Sequence, residues 1–365
     1  MKNDSSLNGR TAAQRTCLAV TLALLAATPA CGDLDETDAD PPSVNALAAL
    51  DSSHLVAART YYTDPVVLDA QSGAQIAKVT STKVYYDVES IGDGELVGMT
   101  NQSIDFFGAN GKVDETRSIL ETLITAMAVS ADRSTLAWAV VAGSGESNLR
   151  LADLSTGTQR APAPDVSFGM GLSLSRDGNL AAVGQGDAGV VMTHAPWTRT
   201  TCALDLDPRH PGAALATAFS PVADRLAVSM VGGGVNIFDL SEFPDCARVS
   251  SYVAPDDDTA DLDHLAYSPD GTVLAISVEK TTASAMGVPV AATGVIRLLD
   301  AATASLLKEL PVYQWQRTAD PSNDSPAISD LQWSQTGDRL AVSTVEGPVQ
   351  QWDVASGTRL WSVNL

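Results

Sequence analysis

Five segments of this chain repeat one phrase: an apolar strand ending in Ser, a tight turn carrying Asp, and a second apolar strand. The copies are Met127-Ala-Val-Ser130-Ala-Asp132, Leu172-Ser-Leu-Ser175-Arg-Asp177-Gly178, Thr217-Ala-Phe-Ser220-Pro-Val-Ala-Asp224, Leu265-Ala-Tyr-Ser268-Pro-Asp270-Gly271 and Leu331-Gln-Trp-Ser334-Gln-Thr-Gly-Asp338. Ser130, Ser175, Ser220, Ser268 and Ser334 step by 45, 45, 48 and 66 residues. A unit this short cannot bury its apolar faces alone, so copies must stack on one another.

A period near 45 with four short strands per unit is the pattern of a β-propeller blade. The fold class expected is therefore all-β, a seven-bladed β-propeller of four-stranded antiparallel blades. The blades fall at about 44–79, 80–119, 120–164, 165–205, 206–253, 254–310 and 311–365. In the sixth, the strands read 263–267, 273–278, 294–299 and 305–310. The third and fourth strands of several blades are joined by turns of one kind, Asp69-Ala-Gln-Ser-Gly73, Asp153-Leu-Ser-Thr-Gly157, Asp239-Leu-Ser241, Asp300-Ala-Ala-Thr303 and Asp353-Val-Ala-Ser-Gly357. Asp, Ser and Thr bond their own backbone in such turns, and Gly supplies positive φ. Each unit begins on its inner strand, and the chain ends on an outer one, 358–365. Closure then rests on face-to-face packing of the first and last blades, unless the phase of the first is different.

These residues resemble the WD-repeat family. Trp352-Asp353 closes a third strand as the family's Trp-Asp pair does, with Phe238-Asp239, Leu299-Asp300 and Leu68-Asp69 as degenerate versions. Ser268-Pro269-Asp270-Gly271 is similar to the family's usual first turn. The Gly-His pair that precedes the family's inner strands is missing, so the buried His–Asp–Ser–Trp network that the resemblance implies is incomplete. Ser229, Ser277 and Ser343 stand at the serine place of that network without a histidine partner.

The chain has 365 residues, 45% of them hydrophobic, and a formal charge of −22. That apolar content excludes global disorder, and the acidity argues against nucleic acid, whose phosphates demand a basic surface. Residues 1–30 read as a signal peptide. Lys2, Arg10 and Arg15 precede the apolar run 17–27, and Thr28-Pro29-Ala30-Cys31 follow. The run is too short to span a membrane comfortably. Cys31 behind small residues resembles the bacterial lipoprotein signal, in which that cysteine is lipidated. The alternatives are plain secretion and an uncleaved anchor. By analogy with lipoprotein sorting in Gram-negative bacteria, Gly32 after the cysteine favours the outer membrane, facing periplasm or exterior. Residues 31–43 form the acidic tether, extended by like charge and Pro. Loss of residues 1–30 removes Lys2, Arg10, Arg15 and Asp4, leaving a charge near −24. Cys202 and Cys246 remain in an exported chain, where disulfides persist; they either pair or stay as two buried thiols.

Three places offer a site. The first is a rim built from insertions: the loop 279–293, the connection 311–328 and the acidic connection 254–261. Long loops on rigid scaffolds carry binding, and Tyr313, Trp315 and Arg317 are residue types that dominate interfaces. Asp256, Asp257 and Asp258 join them as partner-binding candidates. With Asp261 and Asp263 they also have oxygens for calcium, but the spacing fits no ion-binding loop, so a solvated acidic loop is preferred. The second place is the channel, where Asp87, His264 and Asp330 take equivalent inner-strand positions against Ala126, Gly171 and Ala216 elsewhere. A metal-dependent hydrolase or lactonase would chelate its ion there. The third, Gly232-Gly-Gly234, lacks the helix a phosphate loop needs and reads as a turn. His54, His194, His210 and His264 are scattered, with no metal-ligand spacing.

The function expected is a non-catalytic protein-binding platform at the cell envelope, a monomer without metal or cofactor. Its rim would take a protein or peptide ligand, and a lipid would be its sole membrane contact. The rivals are the channel-centred enzyme and a component of an envelope assembly complex.

Overall fold

A computed structural model describes residues 44–59, 64–79, 81–108, 111–121, 123–141, 147–159, 171–184, 190–194, 204, 214–230, 234–253, 264–284, 289–317, 326–345 and 347–365. The expectations at Cys31, Cys202 and Asp256 to Asp258 lie outside these residues.

The described strands are all antiparallel neighbours in sequence and form seven sheets. The first holds β1 (Val44–Ala49), β2 (His54–Arg59), β3 (Val66–Asp69) and β4 (Gln75–Lys78). The second holds β5 (Asp87–Gly92), β6 (Glu95–Met99), β7 (Ser103–Phe107) and β8 (Val113–Leu120). Two sheets have three described strands: β9 (Ile124–Val129), β10 (Thr135–Val141) and β11 (Ser147–Asp153), then β12 (Gly171–Leu174), β13 (Leu180–Gly184) and β14 (Val190–His194). An isolated bridge joins Ala152 to Gln159 beside the former. The remaining sheets have four each: β15 (Ala214–Phe219), β16 (Arg225–Met230), β17 (Gly234–Asp239) and β18 (Ala247–Val253); β19 (Leu265–Tyr267), β20 (Val273–Ala283), β21 (Pro289–Asp300) and β22 (Leu306–Gln316); β23 (Ala327–Trp333), β24 (Arg339–Val345), β25 (Val349–Asp353) and β26 (Thr358–Val363).

The first strands β1, β5, β9, β12, β15, β19 and β23 each touch the next, and β23 touches β1. Such a closed ring of radial antiparallel sheets is a β-propeller. The core is divided accordingly, one apolar cluster lying in each seam between successive sheets. Second strands are enclosed on both faces, so they are apolar without alternation: β10 is buried throughout and β16 nearly so. The small Ala137, Ala227, Ala275 and Ala341 recur one place after Leu in these strands, all at most 2% exposed, and let neighbouring sheets approach. Outer strands face solvent, as β4 does along its whole length.

The repeated phrase is a hairpin lock. Ser130, Ser175, Ser220, Ser268 and Ser334 each donate their amide to the carbonyl five residues on, at 2.8–2.9 Å. In four copies the serine Oγ also accepts that residue's amide, from Thr135, Leu180, Val273 and Arg339. The same Oγ donates to the turn aspartate, Asp132, Asp177, Asp270 or Asp338, at 2.6–2.9 Å. Three residues after the serine the chain turns left-handed, at Gly178, Gly271 and Gly337 and, without glycine, at Arg133 (φ 58). Ser220 departs: it accepts amides of Val222 and Ala223 instead.

Ser229, Ser277 and Ser343 bind inner-strand groups other than histidine rings. Ser229 Oγ accepts the Ala216 amide at 2.9 Å and Ser277 Oγ accepts that of His264 at 3.0 Å. Ser343 Oγ lies 2.8 Å from Ser329 Oγ. A buried polar group needs such partners, and here irregular inner strands supply them. A different network holds the second sheet. Asp105, fully buried on β7, accepts from Lys83 at 2.8 and 2.9 Å, Tyr85 at 2.8 Å and Ser118 at 3.0 Å.

The ring closes face to face. Strands β23 to β26 are consecutive in the chain, so among the described residues no N-terminal strand completes the last sheet. Val44, Leu47, Leu55, Ala57, Val66 and Leu68 pack instead on Ala341 and Val349. Polar ties reinforce the seam: Asp330 Oδ2 accepts the Leu47 amide at 2.7 Å, Ser329 Oγ donates to the Val44 carbonyl, and Arg339 and Trp361 both donate to the Ala70 carbonyl.

One expectation is overturned. Much of 279–293 and 311–328 is strand rather than loop. β20 continues through Ala283, β21 starts at Pro289, and β22 runs on to Gln316. Pairing compensates for the weak β propensity of the individual segments: Thr281 pairs with Ala292, which pairs with Trp315.

Candidate functional site

The inner strands are nearly free of ionisable side chains. β1, β9, β12 and β15 carry none, β19 carries Tyr267 alone, β5 carries Asp87 and Glu89, and β23 carries Asp330. Asp87 and Glu89 are two apart and share one side of their strand; Val88 between them is buried in the seam with the first sheet. Asp87, Glu89 and Asp330 are all half-buried. Burial pushes Asp87 up to about 7, against a backbone hydrogen bond from Val88. Burial likewise raises Asp330 to about 7; the amides of Leu47 and Leu331 oppose the shift, and the charge of Asp87 adds to it. Glu89 is raised well above the ordinary value by burial, then by Asp87 and Asp330. Like charges in a low dielectric cannot all ionise together.

Of the three channel residues singled out in the sequence, Asp87 acts on Asp330 through its charge. Burial lowers the His264 imidazole to about 4, and its ring bonds to Ile328 backbone. Glu89 was missed. The Asp-x-Glu alternation of β5 is the signal that could have found it. Among the described residues, no three His, Cys, Asp or Glu side chains are grouped so as to hold a metal ion.

The second feature lies on the sheet β19 to β22. Its last three strands run 11, 12 and 11 residues, while the other described strands reach at most 8. Their paired ends, Thr282 to Ala291 and Ala291 to Gln316, form a three-stranded projection. Tyr313, Trp315 and Arg317 alternate along the outermost strand and just past it, so they share a face. Tyr313 and Trp315 are half-buried and Arg317 is exposed. The Tyr313 ring covers Gly294 so closely that a Cβ there would lie 2.2 Å from it. Arg317 donates its amide to Val290 at 2.9 Å and its guanidinium to the Pro289 carbonyl at 3.5 Å, pinning the start of β21. The neighbouring Glu279 accepts the Ile328 amide, joining the base of the projection to the next sheet.

A third feature, a groove of about 290 Å³, lies across the closing seam and is lined by Asp51, His54, Asp69, Asp338, Arg339 and Gln351 among others. Its polar groups are engaged within the protein: His54 with Asp51 at 2.7 Å, Arg339 with Ala70, and Gln351 with Trp361 at 2.9 Å.

Cys246 is disulfide-bonded, with its partner outside the described residues.

No protein-family model matches this chain, and no curated protein matches it in sequence.

Proposed function

We propose that this chain is an exported, lipid-anchored propeller of seven WD-repeat-like blades, acting as a non-catalytic protein-binding platform at the cell envelope. The observation that carries the reading is the projection of β20, β21 and β22. It raises two half-buried aromatics and an exposed arginine on a strand at the sheet's edge, residue types that concentrate interface energy. An edge strand also offers its backbone for pairing with an extended peptide. The rest of the molecule suits a rigid support: seven seams, each with its own core, and a ring with no open end.

Each sheet is taken as one blade. The anchor is Cys31, and the acidic tether holds the disc off the membrane. Cys202 is the proposed partner of Cys246. A channel enzyme has one supporting observation, the mutual electrostatic influence of Asp87, Glu89 and Asp330.

The test is capture from envelope extract of a native source. Mature chain is compared with a variant in which residues 282–291 are replaced by a two-residue turn. A partner held by the first and lost by the second supports the platform. A partner held equally by both removes the projection from the site. Labelled palmitate should enter the full-length precursor and not Cys31→Ser.

A further inference from the structure

At three seams of this ring a glycine in the following sheet's first turn packs on the preceding sheet. A Cβ at Gly178 would lie 2.3 Å from Thr135, and one at Gly271 2.3 Å from Val222; Gly337 meets Pro269 in the same way. The closing seam departs from this pattern. There the following sheet is the first one, whose turn sets three residues, Asp51-Ser52-Ser53, between the bonded Leu50 and His54, against four between Ser334 and Arg339. That turn has no glycine, and the groove of about 290 Å³ opens between it and the turn 334–338. First and third turns share one end of each antiparallel sheet and the projection leaves from the other, so the groove stands apart from the platform site.

The bonds that hold the groove's polar side chains take up one end of each and leave the other. Gln351 is 3% exposed, and its Oε1 accepts the Trp361 indole N–H at 2.9 Å. An indole only donates, which fixes the amide's orientation. The Gln351 nitrogen is then the end left for the groove, and among the described residues it has no acceptor. A donor enclosed this far calls for one. Asp51 Oδ2 accepts from His54 Nδ1 at 2.7 Å, so the neutral ring offers Nε2 as an acceptor. Asp69 Oδ1 accepts the Ser72 amide at 2.7 Å and Asp338 Oδ1 accepts from Ser334 Oγ at 2.9 Å, and each keeps Oδ2. Arg339 gives one N–H to the Ala70 carbonyl and stands 3.8 Å from Asp338 Oδ2.

We propose that the groove at the closing seam is a binding site for one neutral sugar ring, free or at the end of a glycan. Its lining asks for a ligand that both donates and accepts. Gln351 and Arg339 bring N–H groups; His54, Asp69 and Asp338 bring acceptors. A hydroxyl answers either kind. A simple cation only donates and would leave the Gln351 nitrogen unanswered. An anion, or the carboxylate of an amino acid, would meet Asp51, Asp69 and Asp338 with a single guanidinium already bound to Ala70. The volume stands at the lower end of ligand pockets, about 300–1,000 Å³, which suits a single ring. The two walls come from opposite ends of the chain, so the site exists only in the closed ring.

Saturation-transfer NMR of the full chain with free glucose, galactose, mannose and N-acetylglucosamine tests this, beside an array carrying the same sugars at the ends of immobilised oligosaccharides. At least one sugar should bind. Signal from the free sugar makes a monosaccharide sufficient; signal on the array alone makes the glycan end the ligand. Gln351→Glu keeps the acceptor for Trp361 and replaces the N–H donor with an oxygen, so it should weaken binding of that sugar at least tenfold. Asp338→Asn, exposed and able to keep its turn bond through Oδ1, serves if the first variant does not fold. Methylamine and inorganic phosphate are run as cation and anion probes and should not compete with the sugar. No sugar bound in either format, competition by either ion, or binding undiminished in the folded variant overturns the site.

Discussion

Leu47 and Asp330 stand 283 positions apart in the chain and share a hydrogen bond of 2.7 Å. It ties the first inner strand to the last in a ring that exchanges no strand. Replacing Asp330 with Ala leaves the Leu47 amide without its acceptor, a loss of about 1–3 kcal/mol when the amide is buried. Asn keeps an acceptor at the same place. At pH 6, urea denaturation should show Asp330→Ala well below Asp330→Asn in stability; equal values would mean the bond does not hold the seam.

The hairpin locks make a prediction in two directions. Gly178 has φ +64, and a Cβ there would lie 2.3 Å from Thr135 Oγ1. Gly178→Ala should cost more than about 1 kcal/mol. Arg133 occupies the same turn position at φ 58 with a side chain in place. Arg133→Gly should raise stability by roughly 0.5–1 kcal/mol, because only glycine enters that region freely. Thermal unfolding of both variants checks the pair, and a shift of the same sign in both would contradict it.

Two sets of carboxylates give the stability profile opposite slopes. Asp69, Asp153, Asp239, Asp300 and Asp353 are held below the ordinary value, chiefly by hydroxyls of Ser72, Ser155, Ser241, Thr303 and Ser356, and Asp153 lies at about 2. Their contribution is present above the ordinary value of 3.8 and is lost as pH falls through the folded values. In Asp87 and Asp330, raised to about 7, the folded state binds the extra protons, so stability falls as pH rises from about 4 through about 7. His264, lowered to about 4 from 6.5, opposes this below 6.5, where the unfolded chain binds its proton. Above pH 6.5 the opposing slope from His264 has ended. Between pH 6.5 and 8, calorimetry should show the melting temperature dropping in wild type and nearly level when Asp87→Asn, Glu89→Gln and Asp330→Asn are combined. A level wild-type profile would contradict the burial of these groups.

Cys246 should map to Cys202 in a non-reducing peptide digest of exported protein. Cys246→Ser should lose about 2–4 kcal/mol, the usual worth of a native disulfide. A digest joining Cys246 to any other cysteine would refute the pairing.

Local chemistry made the propeller readable. Ser, Asp and left-handed Gly recur at fixed offsets because each turn satisfies its own backbone, and such signals survive in a single sequence. The channel cluster depends on the distance between β5 and β23, set by ring closure, so Asp87 and Asp330 could be placed at one level while Glu89 went unnoticed. The projection was misread for another reason. Segments rich in Thr, Ala and Gly, broken by Pro289 and Pro311, carry turn composition. They extend as strands because three of them pair, with Tyr313 packed over Gly294. Trp315 was expected on a connection between blades and stands on a strand.

The account rests most heavily on Trp315 and Arg317. Once a partner has been captured, its affinity for wild type is to be measured beside Trp315→Ala combined with Arg317→Ala, with melting curves of both proteins. The platform predicts at least a tenfold loss of affinity with the fold retained. Undiminished binding by a folded double variant would contradict it.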